Sequence, residues 1–164
     1  MTSYQSINEI QAKLKSSIVQ SVNTELRKHC TKVVQEYLME RVYKAYIPQG
    51  EHAYDRTMEL FNAVTVGEIT VGTKFVTFEV YIDSEKIQPH VTDSKQDWNQ
   101  HASVDPIEVN EYIPMWIEEG TEGSLWDREG THYMEQAYLK LDQGGLAMAL
   151  ARSLKSMGWN VITL

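Results

Sequence analysis

Asp93, Asp97 and His101 stand four residues apart, a spacing that puts side chains on one helical face, and carboxylates with an imidazole can ligate a metal. The stretch around them is polar, with no apolar wall and no fourth ligand, so a solvated face is the simpler reading. Glu118, Glu119 and Glu122 offer adjacent acids of the kind used in general acid–base catalysis, but no nucleophile or oxyanion feature accompanies them. The five histidines are scattered, with no HxxxH pair. The chain lacks GxSxG, a phosphate loop ending in GK[ST], HExxH and a dinucleotide fingerprint. The expectation is a protein with no catalytic residue, no metal and no cofactor.

Residues suited to holding surfaces together are better represented. Arg56, close after Tyr54, has the planar fork that grips a carboxylate such as Glu119, either within the chain or across a subunit contact. Trp98 and Trp116 fall in loop or short-helix sequence, where a large aromatic serves an interface or the packing of a folded-back loop. Gly72-Thr73 has the form of a two-residue hairpin tip. Tyr54, Arg56, Gly72, Thr73, Trp98, Trp116 and Glu119 are therefore the interface candidates.

Composition narrows the class. A chain of 164 residues suits one domain with a modest core. A net charge of −8 argues against a surface that grips DNA or anionic lipid, though an acidic lining lets a polyanion pass without sticking. No leader-like run opens the sequence, and no stretch approaches the ~20 apolar residues of a membrane span. The single cysteine, Cys30, excludes an internal disulfide and reads as a buried thiol on a helix.

The elements that must position these residues follow from periodicity. Ile7, Ile10, Leu14, Ile18, Val22, Leu26, Cys30, Val33 and Tyr37 recur at helical spacing, predicting an N-terminal helical arm over about 6–46. Such a helix spans roughly 60 Å at 1.5 Å per residue, too long for a domain of this size to cover alone. It must bend or pack part of its stripe on a neighbouring subunit, and the second is favoured. Pro48 and Gly50 end it. A short helical turn is expected over 55–60. Strands are expected over 61–71 and 74–82, with a bulge at Gly67-Glu68 to bring Ile69 and Val71 into register. A long polar loop covers about 83–105. Asp105-Pro106 predicts a short helix over 107–112, interrupted by Pro114 and followed by a turn over 115–119, with loop over 121–130. A helical region over 131–157, weakened at Gly144-Gly145 and recapped by Asp142, buries Met134, Ala137, Tyr138, Leu141, Met148, Ala151 and Leu154 and stops at Gly158. Residues 159–164 complete the picture as a strand added to the hairpin. The fold class is α+β: a small antiparallel sheet, a long N-terminal helix and a C-terminal helix, in a single domain.

The order of these landmarks resembles a family. A long helix leads to Pro48, then Tyr54-Asp55-Arg56-Thr57, Leu60 and a hairpin. Met115-Trp116-Ile117-Glu118-Glu119-Gly120 follows, then a helix ending in Lys155-Ser156-Met157-Gly158. From about residue 33 to the end, the chain resembles the tail-completion, or head–tail joining, proteins of tailed bacteriophages, minor tail components of the neck. The resemblance implies a virion structural protein, made in the host cytoplasm and located at the head–tail interface. There it forms a homo-oligomeric, commonly hexameric ring that joins the tail tube or terminator to the head-completion and portal side. DNA passes through the lumen without specific binding, and neither enzyme activity, cofactor nor membrane is involved. The alternatives are a tail terminator capping the tube, a metal-dependent hydrolase using Asp93, Asp97 and His101, and a monomeric binder of a small ligand.

Overall fold

Ser6 starts the first helix, its hydroxyl accepting the Glu9 backbone N–H at 3.3 Å. From there the helical run is continuous to Tyr43: α1 (Ile7–Ser21), a π-turn (Val22–Leu26), α2 (Arg27–Leu38) and a second π-turn (Met39–Tyr43). The computed structural model describes residues 6–45, 58–87, 106–122 and 128–162, without the side chains of 106–110 and 128. The expected 55–57 part of a helical turn, the 88–105 part of the expected 83–105 loop and the 163–164 end of the expected strand lie outside those residues. In order, the remaining elements are α3 (Glu59–Asn62), β1 (Val64–Val66), β2 (Thr70–Val71), β3 (Val76–Thr77), β4 (Val80–Ile82) and a 3-10 turn (Ser84–Lys86). They continue with α4 (Pro106–Glu119), β5 (Gly120–Thr121), β6 (Arg128–Glu129), α5 (Tyr133–Lys140), a π-turn (Leu141–Gly145) and α6 (Leu146–Ser156). The protein is α+β, its strands paired as β1–β4, β2–β3 and β5–β6.

The chain divides into two compact units. The first comprises Met1–Val33, Val66–Val80 and Tyr138–Leu164. Its buried apolar residues are Val22, Leu26, Cys30, Val33, Ala149, Ala151 and Leu154, with α6 packed on α1 and on the π-turn that follows it. Small hydroxyl residues let α1 and α6 approach closely. Ser153 Oγ donates to Ser21 Oγ at 2.9 Å, with Ser21 fully buried, and the Trp159 indole N–H donates to Ser17 Oγ at 2.9 Å. Burial pushes the Cys30 thiol above its ordinary value of 9.0, as expected for a thiol kept as a small apolar side chain. The expected stripe is buried only from its middle onward. Leu14 and Ile18 are half-buried, whereas Ile7 is 73% and Ile10 39% exposed.

Gly158 ends α6 as expected, at φ 87°. Trp159 N–H donates to the Leu154 carbonyl and Gly158 N–H to that of Lys155, the two bonds of a Schellman closure. That closure turns the chain at Trp159, and residues 159–162 form no strand, contrary to expectation. Gly144, at φ 102°, breaks the preceding helical region, and no side-chain cap accompanies the break, so Asp142 does not recap it. The break changes the helical phase. Beyond it Met148, expected inside, is 57% exposed while Ala149 and Ser153 are buried; before it Tyr138, also expected inside, is 65% exposed while Tyr133 is buried.

The hairpin keeps the expected bulge but not the expected strand lengths. Residues 59–60 are helical as expected, and the helix runs on through 61–62, the start of the expected first strand. Asp83 N–H donates to the Ala63 carbonyl and Gly67 N–H to that of Glu79, whereas Thr70 pairs with Thr77 and Val71 with Val76. The second register is displaced by one residue, so one extra residue lies on the first strand between Gly67 and Thr70. Arg27 fastens the helix to this point, donating through Nη2 to the Val66 and Gly67 carbonyls at 3.2 and 3.0 Å.

The second unit comprises Val34–Thr65 and Tyr81–Ala137. Its core is Val34, Leu38, Val42, Leu60, Ala63, Val64, Ile87, Tyr133 and Ala137. Along α2 and the π-turn after it the buried residues advance in steps of four, through Val34 and Leu38 to Val42, and Tyr37 is only half-buried. Side chains secure backbone here: Gln35 Nε2 donates to the Phe61 carbonyl, Tyr43 Oη accepts the Phe61 N–H, and Arg41 Nη1 donates to the Thr131 carbonyl. α4 runs unbroken through Pro114, correcting the expected interruption. The ring forfeits one backbone donor, but Ile113, Trp116 and Ile117 around it are half-buried and hold the helix by packing. The expected loop over 121–130 begins and ends in strand, Gly120 pairing with Glu129 and Thr121 with Arg128.

Candidate functional site

Of the residues expected to carry function, Tyr54, Arg56 and Trp98 lie outside the described residues, as do Asp93, Asp97 and His101. Among the described residues no group of three His, Cys, Asp or Glu side chains is placed to hold a metal, and no helix is long and apolar enough to cross a membrane. What the structure does place are three exposed surfaces.

The first is the C-terminal half of α4. Trp116 stacks on Tyr112, one helical turn earlier, with ring centroids 5.8 Å apart and planes 19° from parallel. Tyr112 and Met115 are 46% and 43% exposed, and Glu119 continues the same face as an exposed carboxylate. The sequence marked Trp116 and Glu119; Tyr112 was missed, although its spacing of four from Trp116 was the available signal.

The neighbouring Glu118 has a different task. Its carboxylate accepts the backbone N–H groups of Met134 at 2.9 Å and Glu135 at 3.0 Å, capping the start of α5 from another helix. His132, at the capping position, has φ 49°, and its N–H donates to the Glu118 carbonyl at 3.0 Å. Thr131 donates through both N–H and Oγ1 to the Ile117 carbonyl. Gly120, at φ 88°, lets the chain leave α4 into β5. A Cβ on Gly130 would lie 2.6 Å from the Glu118 carbonyl oxygen, so only glycine admits this close approach. Burial first, then the Glu118 carboxylate, then Tyr43, push the Tyr133 hydroxyl far above its ordinary value of 10.0. The acids of Glu118-Glu119-Gly120 thus divide: one joins α4 to α5 and the other faces solvent.

The second surface is the hairpin tip. Gly72 N–H donates to the Phe75 carbonyl at 2.9 Å, so Gly72 pairs with Phe75 and the two-residue turn is Thr73-Lys74, one residue later than expected. A Cβ on Gly72 would sit 2.5 Å from the tip of the Phe75 ring, a side chain 59% exposed that can swing aside. Thr73 and Lys74 are exposed, and Val71 is 46% exposed. The third surface is the start of α1, where Ile7 and Ile10 carry the apolar stripe into solvent.

The model of the YomN family matches residues 6–156. The chain belongs to the YomN family, which is phage-related. No curated protein and no solved structure matches the chain significantly.

Proposed function

We propose that this protein is a structural component of a phage particle, a ring-forming connector at the head–tail interface. In this reading it joins the tail tube to the head-completion and portal side and lets DNA pass. The observation that carries the proposal is the start of α1: a helical stripe buried from Val22 onward continues into solvent through Ile7 and Ile10. Apolar side chains at helical spacing gain stability when covered, about 25 cal/mol for each Å² removed from water, and a neighbouring subunit can supply that cover. Membership of a phage-related family and an acidic chain suited to a passage for DNA support the same reading. Function then resides in contacts, with the α1 start, the hairpin tip and the α4 face as the joining surfaces.

Loss of the gene from a producing phage tests this. The expected result is full heads and complete tails that fail to join, with joining restored by adding the purified protein to the extract. Normal particles made without the protein would overturn the reading. So would labelled protein found anywhere in the virion except the neck.

A further inference from the structure

Charge is divided between the two units. Among the described residues the first unit carries nine Lys and Arg against five Asp and Glu, and the second carries four against twelve. Their balances are therefore +4 and −8. A molecule so divided repels a second copy when like units meet and attracts it when unlike units meet.

The two exposed helical faces follow the same division. On α1, Ile7 and Ile10 are exposed, and at 3.6 residues per turn Lys13 and Lys15 fall on either side of their stripe. On α4, Tyr112 and Met115 are exposed, while Glu111 and Glu119 on the helix and Glu122 just beyond it are exposed carboxylates. No Lys or Arg occurs from Pro106 to Glu122. One face is apolar with a basic border, the other apolar and aromatic with an acidic border.

We infer that the start of α1 from one copy docks on the α4 face of a second copy. The apolar residues of the two helices cover one another, and the lysines meet the glutamates at the edge. Two different patches make this contact, so a pair of copies keeps one of each free for further copies, and repetition closes a ring when the rotation permits. The inference rests on the proposed ring and names the contact that builds it. A dimer using one patch twice would set like charges together.

Charge reversal tests the pairing. Lys13→Glu with Lys15→Glu, and separately Glu111→Lys with Glu119→Lys and Glu122→Lys, are each expected to weaken self-association by about tenfold or more. Association of the unaltered protein should also weaken with added salt. Carrying both sets on one chain, or mixing the two variants in equal amounts, should return assembly towards the original level. Circular dichroism and thermal melting confirm that every variant folds, since all five side chains are exposed. If the unaltered protein assembles and the reversals leave assembly unchanged, or if the combined chain stays as weak as its parents, the pairing is wrong while the ring survives. A protein that remains monomeric at high concentration and low salt, alone and on isolated tail tubes, overturns both.

Discussion

Each of the two units has its own means of internal cohesion. In the first, α1 and α6 meet through Ser17, Ser21 and Ser153, with Val22, Leu26, Ala149 and Leu154 around them, so stability depends on close approach. In the second, side chains reach across to hold backbone: Glu118 grips the start of α5, Arg41 the Thr131 carbonyl and Gln35 the Phe61 carbonyl. The contrast teaches that added volume damages the first unit and lost acceptors or donors damage the second.

The largest expected effect comes from volume. Ser21→Leu forces a branched side chain into a fully buried helix contact and should cost about 3 kcal/mol, read from chemical denaturation. Ser21→Ala keeps the space but removes the Ser153 partner and should cost only about 1 kcal/mol. If Leu is tolerated as well as Ala, the close-approach account of the first unit fails. In the second unit, Glu118→Ala leaves two α5 N–H groups without their carboxylate and should cost about 1–2 kcal/mol. The adjacent Glu119→Ala should change stability by less than about 0.5 kcal/mol, because that side chain is exposed. Equal effects at the two glutamates would contradict the division between them.

Gly158→Ala, which places a Cβ at φ 87°, should cost about 1 kcal/mol without any clash. The last effect is alkaline. The Cys30 and Tyr133 groups are raised in the folded state, so the native protein keeps their protons when the unfolded chain gives them up. Their contribution is intact below the ordinary values of 9.0 and 10.0 and is lost as pH climbs beyond them. Thermal melts should fall above about pH 9, and Tyr133→Phe should flatten the steeper part of the fall beyond 10.0. A variant with an unchanged alkaline slope would refute the role given to Tyr133.

Features governed by neighbouring residues were legible in the sequence. The run of helical spacing after Ser6, the stop at Gly158 and the bulge after Gly67 all depend on local backbone preference or strand parity, and they occur where expected. Features decided by packing elsewhere in the fold were not. Pro114 stays helical because its neighbours are half-buried, and Trp159 turns back to Ser17 rather than extending a sheet. Glu118 and Glu119 are the same residue type side by side, and only the arrival of α5 separates their roles. The exposed end of the α1 stripe was legible as a helix too long to be covered, while the acidic character of the α4 surface emerges once charge is assigned to the units.

The central claim is that this chain works by assembling, and its mass in solution tests that most directly. Light scattering coupled to size exclusion should be run on the protein alone, then with isolated tail tubes and with portal-bearing heads. The account predicts a closed ring, or specific capture at the tube end or the neck. A protein that keeps the 18.9 kDa mass of one chain and ignores both structures would contradict it.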